Sequence, residues 1–172
     1  MRNLINPLLL CFTIVLTGWY HYEPQPTNSF SITGKVKNEL TLTLSDLISI
    51  GGKPVGNILI TNHRGEVKEE IKQATGVPLK PLLTKAGIFT YKPHELNTFY
   101  IVCISADTHQ VVFSWNELFN TEVGNNVYLI TEKNGVKLKD MSERILLISK
   151  SDSLSGRRYL KNLKEIRVER VN

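Results

Sequence analysis

The sequence predicts a mixed α+β domain, mostly β, and three observations carry that expectation. Short β-favouring segments recur along the 172 residues, some alternating polar and apolar and some continuously apolar. Helical stretches are few and short, and they fall between strands without regular β-α-β alternation, which points to α+β rather than a repeated βαβ plan. With 41 % hydrophobic residues and a net charge of +5, the composition is that of one globular domain with an ordinary core. The pattern amounts to about eight or nine strands with two or three short helices.

The N-terminus reads apart from the rest. Met1-Arg2-Asn3 supplies a positive start, and Leu8–Leu16 is apolar apart from Thr13. A bilayer crossing takes about 20 residues, so this run is short for a span and fits the apolar region of a secretory signal. Residues 1–19 are expected to be a signal peptide or N-terminal anchor, and the chain to be exported to a periplasmic or extracellular space. No A-x-A pattern marks a cleavage point, so an uncleaved anchor stays open; it is the one expected link to a membrane. Residues 20–28, with Pro24 and Pro26, read as a linker, and residues 29–172 as the folded domain. Cys11 lies in the signal, which leaves Cys103 alone in the mature chain and excludes an intrachain disulfide. Loss of Arg2 lowers the net charge from +5 to +4. So mild and dispersed a balance favours a small anionic ligand or a protein partner over nucleic acid.

Within the domain, Phe30–Val36 alternates and predicts a half-buried strand. Leu40–Leu44 alternates throughout and predicts a second, paired across the Lys37-Asn38-Glu39 turn. Ser45-Asp46 is expected to cap a short helical turn that Gly51-Gly52 stops. Val55–Thr61 is a third strand and runs into the polar turn Asn62-His63-Arg64-Gly65. Glu66–Ala74 is charged and expected at the surface, as loop or exposed strand. Gly76–Gly87 is the clearest helix. Leu79, Leu82, Leu83 and Ala86 share one face, Pro78 and Pro81 suit the first turn, and Gly87 suits the C-terminal cap. Tyr91–Asn97 reads as a loop.

Thr98–Leu118 is the stretch around which the rest is organised. Tyr100–Ile104 is a continuous apolar run, as in a strand covered on both faces. Asp107-Thr108-His109 breaks it with turn-tolerant polar residues, and Val111–Phe113 resumes the strand. Ser114 and Glu117 have capping-box spacing for a following helix. Asn126–Glu132 predicts a strand, Lys133-Asn134-Gly135 a hairpin turn, and Ile145–Ile148 another strand. Ser151–Arg158 is a polar loop, and Leu160–Val171 ends in a last strand.

The common catalytic signatures are missing: no G-x-S-x-G, Walker A loop, G-x-G-x-x-G or H-E-x-x-H. His21, His63, His94 and His109 have no second ligand at metal spacing, so no metal residues are assigned. Cys103, inside Y-I-V-C-I, reads as a buried, inert thiol. Three polar turns remain as candidate sites: Asn62–Arg64, Asp107–His109 and Gly156–Arg158 with Lys161 close behind. A Gly-Arg-Arg loop can grip phosphate or carboxylate through paired guanidinium contacts, and it can equally be a solvated basic loop. Asp107 with His109 can be a ligand-holding turn or a plain hairpin. Hydrolysis by this pair lacks an apparent nucleophile.

At these residues a resemblance enters. The ordered set F-S-I-T-G-K-V, L-S-D-L, G-V-P-L-K-P-L-L-T-K-A-G-I and A-D-T-H-Q-V-V-F-S-W-N-E-L is similar to the oxidoreductase molybdopterin-binding domain, the fold of the sulfite oxidase family. V-Y-L-I-T-E-K-N-G-V-K-L and R-I-L-L-I-S-K-S-D-S-L-S-G-R-R-Y-L-K-N-L-K-E-I-R-V continue it, so the likeness covers Phe30–Val171. The resemblance implies a β-rich α+β core with the pterin held by loops. By position, Asn62, His63 and Arg64 would line the cofactor pocket, Asp107 and His109 would face it, and Arg157, Arg158 and Lys161 would hold the cofactor's phosphate.

The chain departs from that family at two places. Family enzymes hold molybdenum through a Cys after the third strand. Here the stretch reads I-L-I-T-N-H-R-G, with Thr61 or Asn62 at that position. A hydroxyl or amide is a poor substitute for a soft thiolate. The family's A-D-G-Y turn is A-D-T-H, and Thr108 would be strained wherever Gly supplies a positive φ. The expectation is therefore a small exported protein of this fold, lacking the molybdenum-ligand Cys, that has lost molybdenum catalysis and acts as a ligand-binding or accessory module. The alternative is a molybdopterin-dependent oxidoreductase of the sulfite oxidase type.

Overall fold

Ten strands and three α-helices make up the computed structural model, which describes residues 26–171. The expected signal or anchor, and the linker as far as residue 25, lie outside the described residues. In chain order the elements are β1 (Ser29–Gly34), β2 (Leu40–Thr43), α1 (Leu44–Ile50), β3 (Lys53–Thr61), β4 (Val67–Pro78) and α2 (Leu79–Ala86). Then come β5 (Phe99–Ser105), β6 (Gln110–Ser114), α3 (Trp115–Asn120), β7 (Val127–Lys133), β8 (Val136–Lys137), β9 (Leu146–Ser149) and β10 (Leu163–Arg170). No helix among the described residues is long and apolar enough to cross a membrane.

The strands form two sheets. The first has the order β2-β1-β10-β5-β6 and is mixed, because β10 runs parallel to β1 and antiparallel to β5. The second has the order β3-β4-β7-β8, with β9 also on β7, and every pair in it is antiparallel. One continuous core draws side chains from both sheets, and Leu79, Leu82, Leu83 and Ala86 bury the apolar face of α2 in it. The main chain crosses between the sheets just before β10, where Leu160 exchanges two hydrogen bonds with Leu147 of β9 (2.8 and 3.0 Å).

Local chemistry accounts for the boundaries. The cap of α1 is Thr43 rather than Ser45-Asp46. Thr43 Oγ1 accepts from the Asp46 amide, and the Asp46 carboxylate accepts from the Thr43 amide. Asp46 is thus inside the first turn, where a carboxylate also suits the helix dipole. The predicted helix over Gly76–Gly87 begins three residues later. Gly76, Val77 and Pro78 finish β4, paired with Ile130, Leu129 and Tyr128 of β7. The charged stretch from Glu66 is a strand over most of its length. Ile71 and Ala74 point inward while the lysines and most of the glutamates point out, so charge on one face hid burial on the other. The expected loop over Tyr91–Asn97 is a short 3-10 helix over Pro93–Thr98. Ser114 and Glu117 do close a capping box on α3. Asn134 and Gly135 both have positive φ (53° and 77°), the geometry that an Asn-Gly hairpin turn supplies.

β5 is the most enclosed strand of the first sheet. It lies between β10 and β6, and Ile101 and Cys103 are fully buried. Burial alone pushes the Cys103 thiol up to about 12. In the folded protein Cys103 is therefore expected to resist alkylation at pH 8 and to react at once in denaturant, read by mass spectrometry of its peptide. A second outcome concerns Gly124, where a Cβ would sit 1.7 Å from the Leu118 carbonyl oxygen. Gly124→Ala must displace backbone and is expected to cost about 3 kcal/mol in urea unfolding.

Candidate functional site

β3 ends at Thr61, and the turn after it is closed by the side chain of Asn62. The Asn62 Oδ1 accepts from the Arg64 and Glu66 amides (2.8 and 3.0 Å), and its Nδ2 donates to the Glu66 carboxylate at 2.6 Å. Asn62 is thereby spent on its own turn. His63 and Arg64 project from it, exposed and without a side-chain partner among the described residues.

The Gly-Arg-Arg stretch folds back onto this strand end. Ser155–Arg158 is a short 3-10 helix. Ser155 Oγ accepts from the Thr61 amide at 3.0 Å and donates to the Leu59 carbonyl at 2.5 Å. Gly156 lies so close that a Cβ would come 2.0 Å from the Thr61 carbonyl oxygen. Glycine is needed there for the approach of two backbones. The structure thus brings Asn62–Arg64 and Gly156–Arg158 together. Arg157 is exposed.

Arg158 turns the other way. Its guanidinium donates from Nε and Nη2 to Asp152 (both 2.6 Å) and from Nη1 to Glu117 of α3 (3.0 Å), and it lies 4.3 Å from the Phe113 ring centre. This paired grip of a carboxylate is what guanidinium geometry favours. Burial pushes the Glu117 carboxyl up, but the Ser114 amide and the Arg158 guanidinium outweigh it and hold it below its ordinary 4.5.

Lys161 is also engaged, in a cluster that the sequence did not reveal. Its Nζ donates to Glu143 at 2.7 Å; Glu143 also accepts from Lys133 at 2.9 Å, and Lys133 donates to Glu69 at 3.2 Å. Tyr159 donates to Glu69 at 3.3 Å. Burial disfavours the charge on Lys133, yet Glu143 and Glu69 outweigh it and raise the ammonium group above its usual range. Glu69 lay in a run that reads as surface charge, so only the cross-strand partners identify it.

The Asp107–His109 turn stands at the end of β5. Asp107 accepts from the Ser105 hydroxyl and from the His109 backbone amide (3.1 Å), and these bonds hold its carboxyl below the usual range. The contact to His109 is through the main chain, so Asp107 does not orient the imidazole as a catalytic pair requires. Thr108 carries the positive φ (71°) that a Gly would carry without cost. The Ala106 amide donates to the Asn162 carbonyl at 2.9 Å, which places this turn beside Lys161-Asn162. No hydrogen bond or ion pair among the described residues joins it to the Asn62–Arg64 turn. Among the described residues two buried side-chain atoms, Thr61 Oγ1 and Asn162 Oδ1, have no partner. Among the described residues no group of three His, Cys, Asp or Glu side chains could hold a metal ion.

Arg158→Met leaves two carboxylates facing an empty position. It is expected to destabilise the fold by about 2 kcal/mol, below the cost for a fully buried pair because 20 % of the Arg158 side chain stays exposed. The loss should appear in urea melts at pH 7. A carboxyl whose folded pKa is depressed contributes stability above 4.5 that disappears as pH falls through the folded value. The acid limb of stability against pH should therefore be shallower in Arg158→Met than in wild type. Thr108→Gly is expected to stabilise by about 0.5 kcal/mol, the relief of left-handed strain less the added chain entropy of Gly, read in the same melts.

No family model matches the sequence, and no curated protein matches it. The fold does match a solved structure. The sulfane dehydrogenase SoxCD from Paracoccus pantotrophus superposes at a TM-score of 0.62 with 17 % sequence identity. The match covers 81 % of this chain and 37 % of that one, so the present chain spans well under half of the enzyme it resembles. At that identity the likeness is one of fold: a mixed α+β domain, mostly β, of the sulfite-oxidase-like type.

Proposed function

We propose that this protein is an exported module of molybdopterin-binding fold that works by binding a small anionic ligand or a protein partner, without molybdenum redox catalysis. The observation that carries the reading is the state of the cations a cofactor phosphate would need. Arg158 is held by Asp152 and Glu117, and Lys161 by Glu143, so two of the three cations already have carboxylates on them, and Arg157 alone has none among the described residues. A doubly charged phosphate brought to these groups would meet three carboxylates at close range. Two further observations agree. Thr61 or Asn62 offers a hydroxyl or an amide where the family places a thiolate, and Gly156 is pressed against the Thr61 carbonyl. The residues present do not fit a molybdenum-pterin group. Among the described residues His63, Arg64 and Arg157 stand exposed on two stretches that Ser155 ties together, and His109 stands exposed on the turn between β5 and β6.

A second reading, a molybdopterin-dependent oxidoreductase, draws on one observation. Thr61 Oγ1 and Asn162 Oδ1 are buried without partners among the described residues, as they would be if a bound group satisfied them.

Metal analysis and pterin fluorescence on protein purified from a molybdopterin-producing host discriminate the two. The binding-module reading expects folded protein, by circular dichroism of the same sample, with neither molybdenum nor pterin above trace. Stoichiometric amounts of both would overturn it.

A further inference from the structure

A cavity of about 290 Å3 opens at the opposite end of β5 from the Asp107 turn. β5 has seven residues, so about 20 Å of strand separates the two places. None of the residues lining the cavity belongs to the Asn62–Arg64 or Gly156–Arg158 stretches, so its role is independent of theirs. Buried Phe99 lies at the bottom, and Lys35, Phe89, Tyr91, Glu95 and Arg170 contribute the walls.

The frame is built before any ligand arrives. The Phe89 amide donates to the Lys35 carbonyl (2.9 Å), the Lys35 amide to the Val168 carbonyl (2.8 Å), and the Val171 amide to the Thr98 carbonyl (2.9 Å). Thr90 Oγ1 donates to Glu95 at 2.8 Å. Such pinning lowers the ordering cost of binding.

Aromatic surface stands open on this frame. Phe89 is 44 % and Tyr91 84 % exposed, yet their rings meet edge to face with centres 5.1 Å apart. An exposed aromatic pair beside a concave space is unlike the scattered apolar residues of an ordinary surface. The charges in the wall do not cancel. Arg170 pairs with Glu95 at 3.3 Å, while Lys35 has no carboxylate partner among the described residues. Arg167 nearby is taken up by Glu165 and Glu169. One positive charge is left over, in a wall that also carries aromatic rings. Since a water in the liquid occupies about 30 Å3, the space matches about ten non-hydrogen atoms.

We propose that this cavity binds a small monocarboxylate with a planar apolar body. Its carboxylate meets Lys35, the wall cation without a carboxylate partner among the described residues, and its ring lies against Phe89, Tyr91 and Phe99. A phosphate or other compact dianion would leave the rings unused, and a neutral aromatic would leave the Lys35 charge unmet.

The test uses phenylacetate as the probe and 2-phenylethanol as its neutral counterpart, titrated into the 15N-labelled protein and followed by amide chemical shifts. Saturable shifts at Phe89, Thr90, Phe99 and Val171 are expected with phenylacetate, and none with the alcohol. Lys35→Gln should weaken binding about tenfold, the loss of one charge-assisted contact, while leaving the remaining spectrum in place. Lys92→Gln removes the same charge outside the cavity wall and should bind as wild type. No shift at these amides up to the solubility of phenylacetate would overturn the proposal. So would equal binding of the alcohol, undiminished binding by Lys35→Gln, or equal weakening by Lys92→Gln.

Discussion

β10 has to satisfy two neighbours at once, and both halves of the molecule depend on it. It enters the middle of the first sheet, parallel to β1 on one side and antiparallel to β5 on the other. Without it the β1–β2 hairpin and the β5–β6 hairpin would each present an open edge and a half-covered apolar face. A parallel pair between the first and last strands of the domain forms only when the ends of the chain meet, so the sheet closes through contacts distant in sequence. The same strand sets both regions of chemical interest. Its approach holds Lys161 and Asn162 beside the Asp107 turn, and its end delivers Arg170 to Glu95.

Charge is used here mainly to tie elements together. Arg158 links the loop that covers β3 to α3, which extends from the edge of the other sheet, and its planar face rests on Phe113. Lys133 lies between Glu69 and Glu143, and Glu143 reaches on to Lys161, so β4, β7 and the approach to β10 share one alternating cluster. Partly desolvated cations of this kind are stable only with their carboxylates in place. Arg158 and Lys161, which look available in the sequence, are therefore engaged in the fold, whereas His63, Arg64, Arg157 and Lys35 have no ion-pair partner among the described residues.

The turns themselves were legible. Asn62-His63-Arg64-Gly65 and Asp107-Thr108-His109 interrupt apolar runs with residues that close turns, and both are turns between paired strands. The apposition of Gly156 to Thr61 was not legible. It rests on the bond from Thr61 to Ser155, 94 residues away, and nothing in either segment alone encodes the contact. Nor was the cavity at Lys35, because its walls come from the ends of β1, β5 and β10 and from the stretch after α2, four places that only the finished sheet brings together. Charge misled in one instance. Glu69 sits in a strand whose outward face is so polar that its inward face reads as surface.

By itself the sequence determined the elements that rest on neighbours along the chain. Periodicity placed β1, β2, β3 and β5, the one-sided leucines placed α2, Ser114 with Glu117 placed the start of α3, and Asn134-Gly135 placed the β7–β8 hairpin. These depend on contacts within a turn or two of chain, which residue order specifies directly. The tertiary structure alone decided the strand order, the end of β4 at Pro78 and the partner of every buried cation. Each of these is a choice among distant segments with similar local preferences, and it is settled by which pairing buries the most apolar surface while leaving no charge alone.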